Sequence, residues 1–179
     1  MNGFDKNIIG EFLSSSNPPN EKKEIIRSFI NGIKMNFDEI SFLECFRFFM
    51  KRIYLPKDSN LILDIMNVFS EEYFGCNKNN DEFVSIFKNA NNIYLLISTL
   101  LAINTMFTRK DIKNMNVIKK EEFIQMNKDI RENIISSIYD QLEKKPLVIE
   151  NENYNENIYK RMSTLVKKKK RPQKIMYYI

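Results

Sequence analysis

The sequence predicts an all-α protein with roughly eight to ten helices, and three observations lead to that fold class. Only four glycines and five prolines occur in 179 residues, fewer turn-forming residues than sandwiches and barrels usually need. Apolar residues make up 43% of the chain and recur at helical spacing in successive segments. No segment shows a convincing strand-like alternation. The length suits one domain with a substantial core, followed by a tail.

The first half of the chain is predicted to form four helices. They are a short helix from Asp5 to Leu13 and, after a break at 14–20, helices at 21–33, 38–53 and 59–73. Apolar residues three and four positions apart give each longer helix a core-facing stripe. The stripes comprise Ile25, Phe29, Ile30 and Ile33, then Phe42, Phe46, Phe49 and Ile53, then Ile62, Ile65, Met66, Phe69 and Tyr73. Pro56 ends the third helix, because proline disfavours the helical state in the residue before it.

The second half is predicted to be helical around one apolar central helix. Its elements are a polar turn at 77–81, a short helix to about Lys88, the apolar helix at about 91–107, a charged loop at 108–117, and helices at 121–128 and 131–144. The run at 93–107 is too short, and too polar at Ser98, Thr99 and Asn104, to span a bilayer, so we expect a buried helix. Pro146 ends the last helix, whose core face is Ile134, Ile135, Ile138, Tyr139 and Leu142.

Charge is distributed unevenly along the chain. Residues 160–179 carry eight basic side chains and no acidic one. The other 20 basic and 23 acidic side chains leave residues 1–159 with a net charge of −3, although the whole chain carries +5. The basic character therefore belongs to the tail. We divide the chain into a domain at 1–150 and a basic tail at 151–179.

The composition excludes several classes of enzyme. No histidine is present, which rules out Ser-His-Asp triads, Cys-His dyads and histidine-ligated zinc. The two cysteines, Cys45 and Cys76, cannot hold a zinc ion between them. Both lie in apolar helical patterns and are expected to be buried free thiols. Since the N-terminus shows no signal peptide, the sequence indicates a reducing, intracellular setting.

A series of short signatures runs between about residue 7 and residue 150. In order, they are residues 9–13, residues 46–49 with Leu55 and Pro56, residues 69–77, residues 94–96 with 103–105, residues 122–127, and residues 138–140 with 145–147. None is specific alone. Their colinear series resembles the catalytic domain of the guanine-nucleotide exchange factors for Arf-family small GTPases, the Sec-seven domain found in cytohesins.

The resemblance implies a right-handed helical array with a hydrophobic groove that grips the switch regions of the GTPase. A loop at the groove's edge carries an acidic finger, which repels the β-phosphate of the nucleotide and displaces Mg²⁺. Asp58 occupies the finger position and is the implied catalytic residue. The implied groove residues are Leu55, Pro56, Tyr94, Leu101, Asn104, Thr105 and Arg109. No proton transfer or covalent step is required, so no cofactor and no metal site are expected.

Several positions depart from the family pattern. Asp58 replaces a glutamate, Lys57 a glycine, Tyr54 an arginine and Arg109 the groove asparagine. Two interpretations therefore stay open, an active exchange factor and an Arf-binding scaffold with weakened exchange. A purely structural alternative makes Asp58 the N-cap of the next helix and Asn104 a hydrogen-bonded core amide.

The tail is expected to bind an anionic membrane surface, because Arf exchange takes place on membranes. Its basic run is Lys167, Lys168, Lys169, Lys170 and Arg171, and each such residue contributes about 1 kcal/mol near anionic lipid. Localisation would then be cytoplasmic and peripheral on Golgi or other endomembranes. The alternatives are a solvated end, the start or remnant of a lipid-binding domain at 165–179, and the less favoured nucleic-acid arm of an unrelated helical protein.

Overall fold

The computed structural model describes residues 19–31, 35–38, 40–53, 55–56, 59–108 and 118–149. Within these ranges the chain forms seven α-helices and no strand, which confirms the predicted all-α class. The helices are α1 (Pro19–Asn31), α2 (Phe42–Arg52), α3 (Ser59–Asn77), α4 (Asp81–Phe87), α5 (Ala90–Thr108), α6 (Lys120–Met126) and α7 (Glu132–Lys144). The short helix predicted at 5–13 lies outside the described residues.

Helix α1 begins two residues earlier than predicted and turns a different side chain towards the core. Its first residue is Pro19, and the fixed φ of proline suits the first turn of a helix. Ile26 and Ile30, one turn apart, are buried to 2% and 0% exposure. Ile25 was predicted on the core face but is exposed. The buried stripe therefore follows the Ile26–Ile30 pair.

Helix α2 begins at Phe42, four residues later than the predicted start at Asp38. Ser41 is the N-cap, and its hydroxyl accepts a hydrogen bond from the backbone N–H three residues further on, at 3.4 Å. Asp38 belongs to the preceding turn, where its N–H donates to the Asn36 side chain and its carboxylate accepts from Asn80 Nδ2 at 2.7 Å. Local side-chain bonds of this kind compete with helix formation.

Helix α3 continues to Asn77, four residues past its predicted end at Tyr73. Asn77 Nδ2 donates to the carbonyls of Tyr73 and Met35, at 2.8 and 2.7 Å, and Asn77 Oδ1 accepts from the N–H of Phe37 at 2.8 Å. This buried amide therefore has partners for both of its polar atoms. The bonds to Met35 and Phe37 hold the segment before α2 against the end of α3.

Aromatic rings from α2, α3 and α4 form the centre of the core. Phe69 lies 4.6 Å from Phe49 and 5.5 Å from Phe46, measured between ring centroids. Phe83 and Phe87 of α4 lie 4.9 Å apart. All five side chains are fully buried. Such ring pairs add about 0.5–1.5 kcal/mol each beyond the burial of their area.

Tyr73 brings a hydroxyl into this core without a hydrogen-bond partner among the described residues. Burial raises the pKa of Tyr73, and Cys45 acts in the same direction. Because a buried unsatisfied hydroxyl destabilises a fold, we expect Tyr73→Phe to raise the free energy of unfolding by about 1 kcal/mol. Urea denaturation at neutral pH measures this.

Tyr139→Phe is the matched control for that substitution. The Tyr139 hydroxyl donates to the carbonyl of Ile118 at 3.4 Å, so its removal is expected to lower stability slightly. A loss of stability in Tyr73→Phe as large as that in Tyr139→Phe would contradict an unsatisfied hydroxyl at Tyr73.

Helix α5 is the predicted central helix and is buried at 92–93 and 96–105. It packs against α3, α4 and α7. Of the helices in the described ranges, α5 alone is long and apolar enough to cross a membrane, with a mean hydropathy of 1.3. However, 67% of that window is buried inside the protein, as in the core helix of a folded domain.

The two cysteines differ in their surroundings. Neither is in a disulfide, as predicted, but only Cys45 is buried. Burial raises the pKa of Cys45 to about 12. The prediction of a buried thiol at Cys76 is wrong, because Gly75 and Cys76 lie on the outer side of the last turn of α3, whereas Tyr73 and Asn77 lie on its buried side.

Candidate functional site

The predicted acidic finger lies between two positions that the structure fixes. Leu55 and Pro56 follow α2, and both are buried, Leu55 to 1% exposure. Helix α3 begins at Ser59. The two intervening residues, Lys57 and Asp58, lie outside the described residues. The chain is therefore anchored in the core directly before Lys57 and becomes helical directly after Asp58.

Tyr94, a predicted groove residue, lies half-buried in the first turns of α5. Burial raises the pKa of Tyr94, a hydrogen bond with Ser98 opposes that shift, and the carboxylate of Asp64 adds to it. Asp64 belongs to α3 and is exposed. The phenol of Tyr94 is thus close enough to α3 for the Asp64 carboxylate to affect its pKa. Helix α3 is the helix that follows the finger position.

Half-exposed apolar side chains flank this pair on both helices. Leu61 and Leu63 adjoin Asp64 on α3, and Leu95 adjoins Tyr94 on α5. The two helices pack against each other. We call these three residues together with Asp64 and Tyr94 the α3–α5 surface, namely Leu61, Leu63, Asp64, Tyr94 and Leu95. It offers apolar area and one negative charge to a partner.

Three other predicted groove residues lie inside the domain. Leu101, Asn104 and Thr105 are all exposed to 2% or less. Asn104 Oδ1 accepts from the N–H of Leu147 at 2.6 Å, and Asn104 Nδ2 donates to the Leu147 carbonyl at 3.3 Å. The Thr105 hydroxyl donates to the carbonyl of Leu101 at 3.0 Å. In this structure Asn104 joins α5 to the segment after α7, and none of the three presents a side chain to solvent.

These hydrogen bonds allow a direct test of the role of Asn104. Asn104→Ala would leave the N–H and the carbonyl of Leu147 buried without partners. We therefore expect the free energy of unfolding to fall by about 2 kcal/mol. Chemical denaturation checks this, with Asn67→Ala as the control, because Asn67 bonds only Glu71 at the surface of α3. An unchanged stability together with a weakened partner affinity would instead place Asn104 in a binding groove.

Arg109, like Lys57 and Asp58, lies outside the described residues, and so does the basic run from Lys167 to Arg171.

One exposed aromatic residue was not singled out by the sequence analysis. Phe48 is 40% exposed on the outer face of α2, and the Arg52 guanidinium lies 4.1 Å from the centre of its ring. The spacing of four residues permits this cation–π contact on a helix. The sequence could have predicted this exposure, because Phe48 does not lie on the apolar stripe that contains Phe46 and Phe49. The pair adds an aromatic contact on the helix that leads into Leu55.

Buried Arg47 was also missed as a structural residue. It is 7% exposed, and its guanidinium donates to the carbonyls of Pro146 at 3.1 Å, Gln141 at 3.3 Å and Lys145. Burial lowers the pKa of Arg47 and Glu44 opposes that shift, but a guanidinium stays protonated in proteins. A cation at this end of α7 satisfies the terminal carbonyls and opposes the negative end of the helix dipole.

Across the described ranges, no group of three or more His, Cys, Asp or Glu side chains is arranged to hold a metal ion. The described residues on either side of the finger position are buried Leu55 and Pro56 and the start of α3.

Comparison with known proteins covers most of the chain. The family model of the Sec7 domain matches residues 1–147. The ADP-ribosylation factor guanine nucleotide-exchange factor sec71 of Schizosaccharomyces pombe is 27% identical over 154 residues, which cover 84% of this chain and 8% of that protein. Brefeldin A-inhibited guanine nucleotide-exchange protein 1 of Homo sapiens is 26% identical over 150 residues, which cover 80% of this chain and 8% of that protein.

The chain thus spans about 8% of the length of these curated relatives. Among solved structures, the N-terminal Sec7 domain of RalF superposes with a TM-score of 0.66 at 24% identity, over 82% of this chain and 70% of that chain. At that identity the likeness shows a shared helical fold.

Proposed function

The chain belongs to the Sec7 domain family, and from that premise we propose that it is a guanine-nucleotide exchange factor for an Arf-family small GTPase. The exchange domain is residues 1–150. Asp58 acts as the acidic finger, and the α3–α5 surface contributes to the groove that binds the switch regions. The two relatives described above are guanine-nucleotide exchange proteins by name, one of them for ADP-ribosylation factor.

The observation that supports the proposal is the position of Asp58 in the sequence, separated from buried Leu55 and Pro56 by Lys57 alone and followed at once by α3. A carboxylate that acts by its position needs rigid backbone on both sides, because repulsion from the phosphate would otherwise displace it. Two buried residues on one side and a 19-residue helix on the other give such a support. Tyr94 and Asp64 lie on the same helix pair.

The chemistry requires no bond to be made or broken in the exchange factor. A carboxylate brought near the β-phosphate, away from bulk water, is repelled by about 4 kcal/mol at 4 Å and an effective dielectric of 20. Each 1.4 kcal/mol of lost affinity weakens nucleotide binding by about tenfold. Asp58 would thereby promote the departure of GDP, with loss of the Mg²⁺ that holds it.

A second candidate is a GTPase-binding scaffold with weakened exchange, favoured by the residues around the finger. Lys57 adds a positive charge beside Asp58, which attracts the phosphate that Asp58 should repel. Thr108 and Arg109 stand where the family has other residues, and the Thr108 hydroxyl donates to the carbonyl of Asn104 at 2.9 Å. In this reading the groove still binds the GTPase but GDP leaves slowly.

Two measurements separate these candidates. Release of fluorescent GDP from Arf-family GTPases is followed with and without the protein, and binding to nucleotide-free GTPase is measured in parallel. Binding with accelerated release supports the exchange factor, and binding without acceleration supports the scaffold. If the protein neither binds any Arf-family GTPase nor accelerates GDP release from one, both candidates are excluded.

The tail supports a location for this activity. Lys167, Lys168, Lys169, Lys170 and Arg171 would attract the domain to anionic lipid, placing it peripherally on the cytoplasmic face of Golgi or other endomembranes. Nucleic acid is the less favoured partner for this run. Co-sedimentation with anionic vesicles, compared with neutral ones, tests the lipid assignment.

A further inference from the structure

A cleft of about 300 Å³ opens on a part of the domain that the proposed exchange does not use. It lies between the turn before α2, the start of α2, the end of α4 and one face of α7. Its lining is Phe37, Asp38, Ile40, Ser41, Phe42, Leu43, Phe87, Ile134, Ser137, Ile138 and Gln141. The volume is at the lower limit for ligand pockets and suits one or two side chains better than a nucleotide.

The cleft is separate from the α3–α5 surface. It adjoins the N-terminal end of α2, whereas Leu55 and Pro56 follow the C-terminal end of that helix. Helix α2 has 11 residues, so about 16 Å separates its two ends. An occupant of the cleft would therefore leave the finger position uncovered.

The lining combines apolar walls with one negative charge. Seven of its eleven residues are apolar, including the rings of Phe37, Phe42 and Phe87. The Ser137 hydroxyl accepts from Gln141 Nε2 at 2.9 Å, so these two polar side chains satisfy each other. Asp38 accepts from Asn80 and forms no ion pair with the described residues. A fitting occupant presents an apolar side chain next to a cation.

The tail contains a segment in which apolar side chains follow basic ones. Arg171 and Lys174 lead directly into five apolar residues at 175–179, two of them tyrosines. The Sec7 family match ends at residue 147, so this segment lies beyond the family domain. Two other segments outside the described residues, 1–18 and 109–117, fall within that match. The first carries Asp5 and Glu11 beside one basic residue, and the second carries Asp111 among three basic residues.

The chain leaves the described domain beside the two helices that form the cleft. Arg47, one helical turn after Leu43, holds the carbonyls of Gln141, Lys145 and Pro146. Gln141 is itself part of the cleft lining. The 25 residues at 150–174 can extend to at most about 85 Å, which is ample for a return to the cleft. A tethered segment has an effective concentration of about a millimolar, so weak affinity is sufficient.

We propose that residues 171–179 dock in this cleft, with a tyrosine against the half-buried side chains of Phe37, Ile40 and Ile134 and the basic residues of the segment against Asp38. The docking covers the three apolar lining residues that the described domain leaves partly exposed, namely Phe37, Ile40 and Ile134. It does not depend on exchange activity. It uses the apolar end of the tail with Arg171 and Lys174, whereas attraction to a membrane uses the basic run at 167–171, and the two share Arg171.

Photocrosslinking in the full chain tests this docking. Benzoylphenylalanine replaces Tyr178, and the crosslinked peptides are identified by mass spectrometry. The expected result is an intramolecular crosslink to residues 37–43 or 134–141, with a yield independent of protein concentration. Crosslinks confined to the α3–α5 surface, or crosslinks between two copies that grow with concentration, would overturn the proposal.

Charge substitutions provide the matched controls. Asp38→Lys is expected to reduce the crosslink yield by about tenfold, equivalent to about 1.4 kcal/mol. Adding Lys174→Glu to Asp38→Lys is expected to recover part of that yield. Glu82→Lys changes an exposed acid outside the lining and is expected to leave the yield unchanged. Lys174→Glu alone changes a residue beyond the Sec7 family match and should reduce the yield without affecting the thermal unfolding temperature. Equal yields in all variants would refute the role of Asp38.

Discussion

Replacing Asp58 with alanine is expected to slow GDP release from the partner GTPase by about a hundredfold or more. The repulsion between a carboxylate and a phosphate is about 4 kcal/mol at 4 Å and an effective dielectric of 20. Losing about 2.8 kcal/mol of it already corresponds to about a hundredfold in rate. The affinity for nucleotide-free GTPase should change much less, because the groove remains intact. Stopped-flow release of fluorescent GDP and a binding titration measure the two effects.

Asp58→Glu addresses the length of the finger in the same assay. The extra methylene restores the reach of the family glutamate, and misplacement by about 1 Å can cost about a hundredfold in a reaction that depends on geometry. We therefore expect faster release than in the native chain. Glu82→Ala, on the exposed start of α4, is the control and should leave the rate unchanged. Equal acceleration by the native chain and Asp58→Ala would exclude the finger mechanism.

The fold was largely predictable because its helices carry regular apolar stripes. Phe42, Phe46 and Phe49 on α2 are buried as their spacing indicated, and so is Phe69 on α3. The ends were harder to predict, because polar side chains decide them through specific partners. Asn77 prolongs α3 by bonding a segment some forty residues earlier in the chain, which helical periodicity does not reveal.

The candidate site was only partly predictable for a related reason. Leu55 and Pro56 could be recognised from a local motif, and the structure places both in the core directly before Lys57. Asn104 was open to two interpretations, because an amide in an apolar helix can face a groove or a buried backbone. Its partner, Leu147, is 43 residues away, and only the folded chain brings the two together.

Arg47 is the residue whose structural effect we expect to be largest. Arg47→Ala removes the donors that satisfy the last carbonyls around α7 and the apolar stem that fills the space beneath them. Hydrogen bonds from a charged group contribute about 1.5–3 kcal/mol each, but bonds that share one side chain are not additive. We therefore expect a loss of about 3 kcal/mol. For a protein of this size that corresponds to a fall in Tm of roughly 6–12 °C.

The position of Arg47 predicts where this instability appears. Native-state hydrogen exchange should show the largest loss of protection at the end of α7 and in the segment to Leu147, which Asn104 holds from the other side. Arg52→Ala is the matched control, because Arg52 lies on the same helix but is exposed and contacts only Phe48 among the rings. Its expected effect is within about 0.5 kcal/mol.

Arg47→Lys separates charge from geometry in the same experiment. A lysine keeps the positive charge near the end of α7 but cannot direct a planar fork at three carbonyls. If the charge alone opposes the helix dipole, the lysine variant should recover about 1 kcal/mol of the loss. Full recovery would mean that the hydrogen-bond geometry contributes nothing. An alanine variant as stable as the native chain would show that α7 and the following segment are held by apolar packing alone.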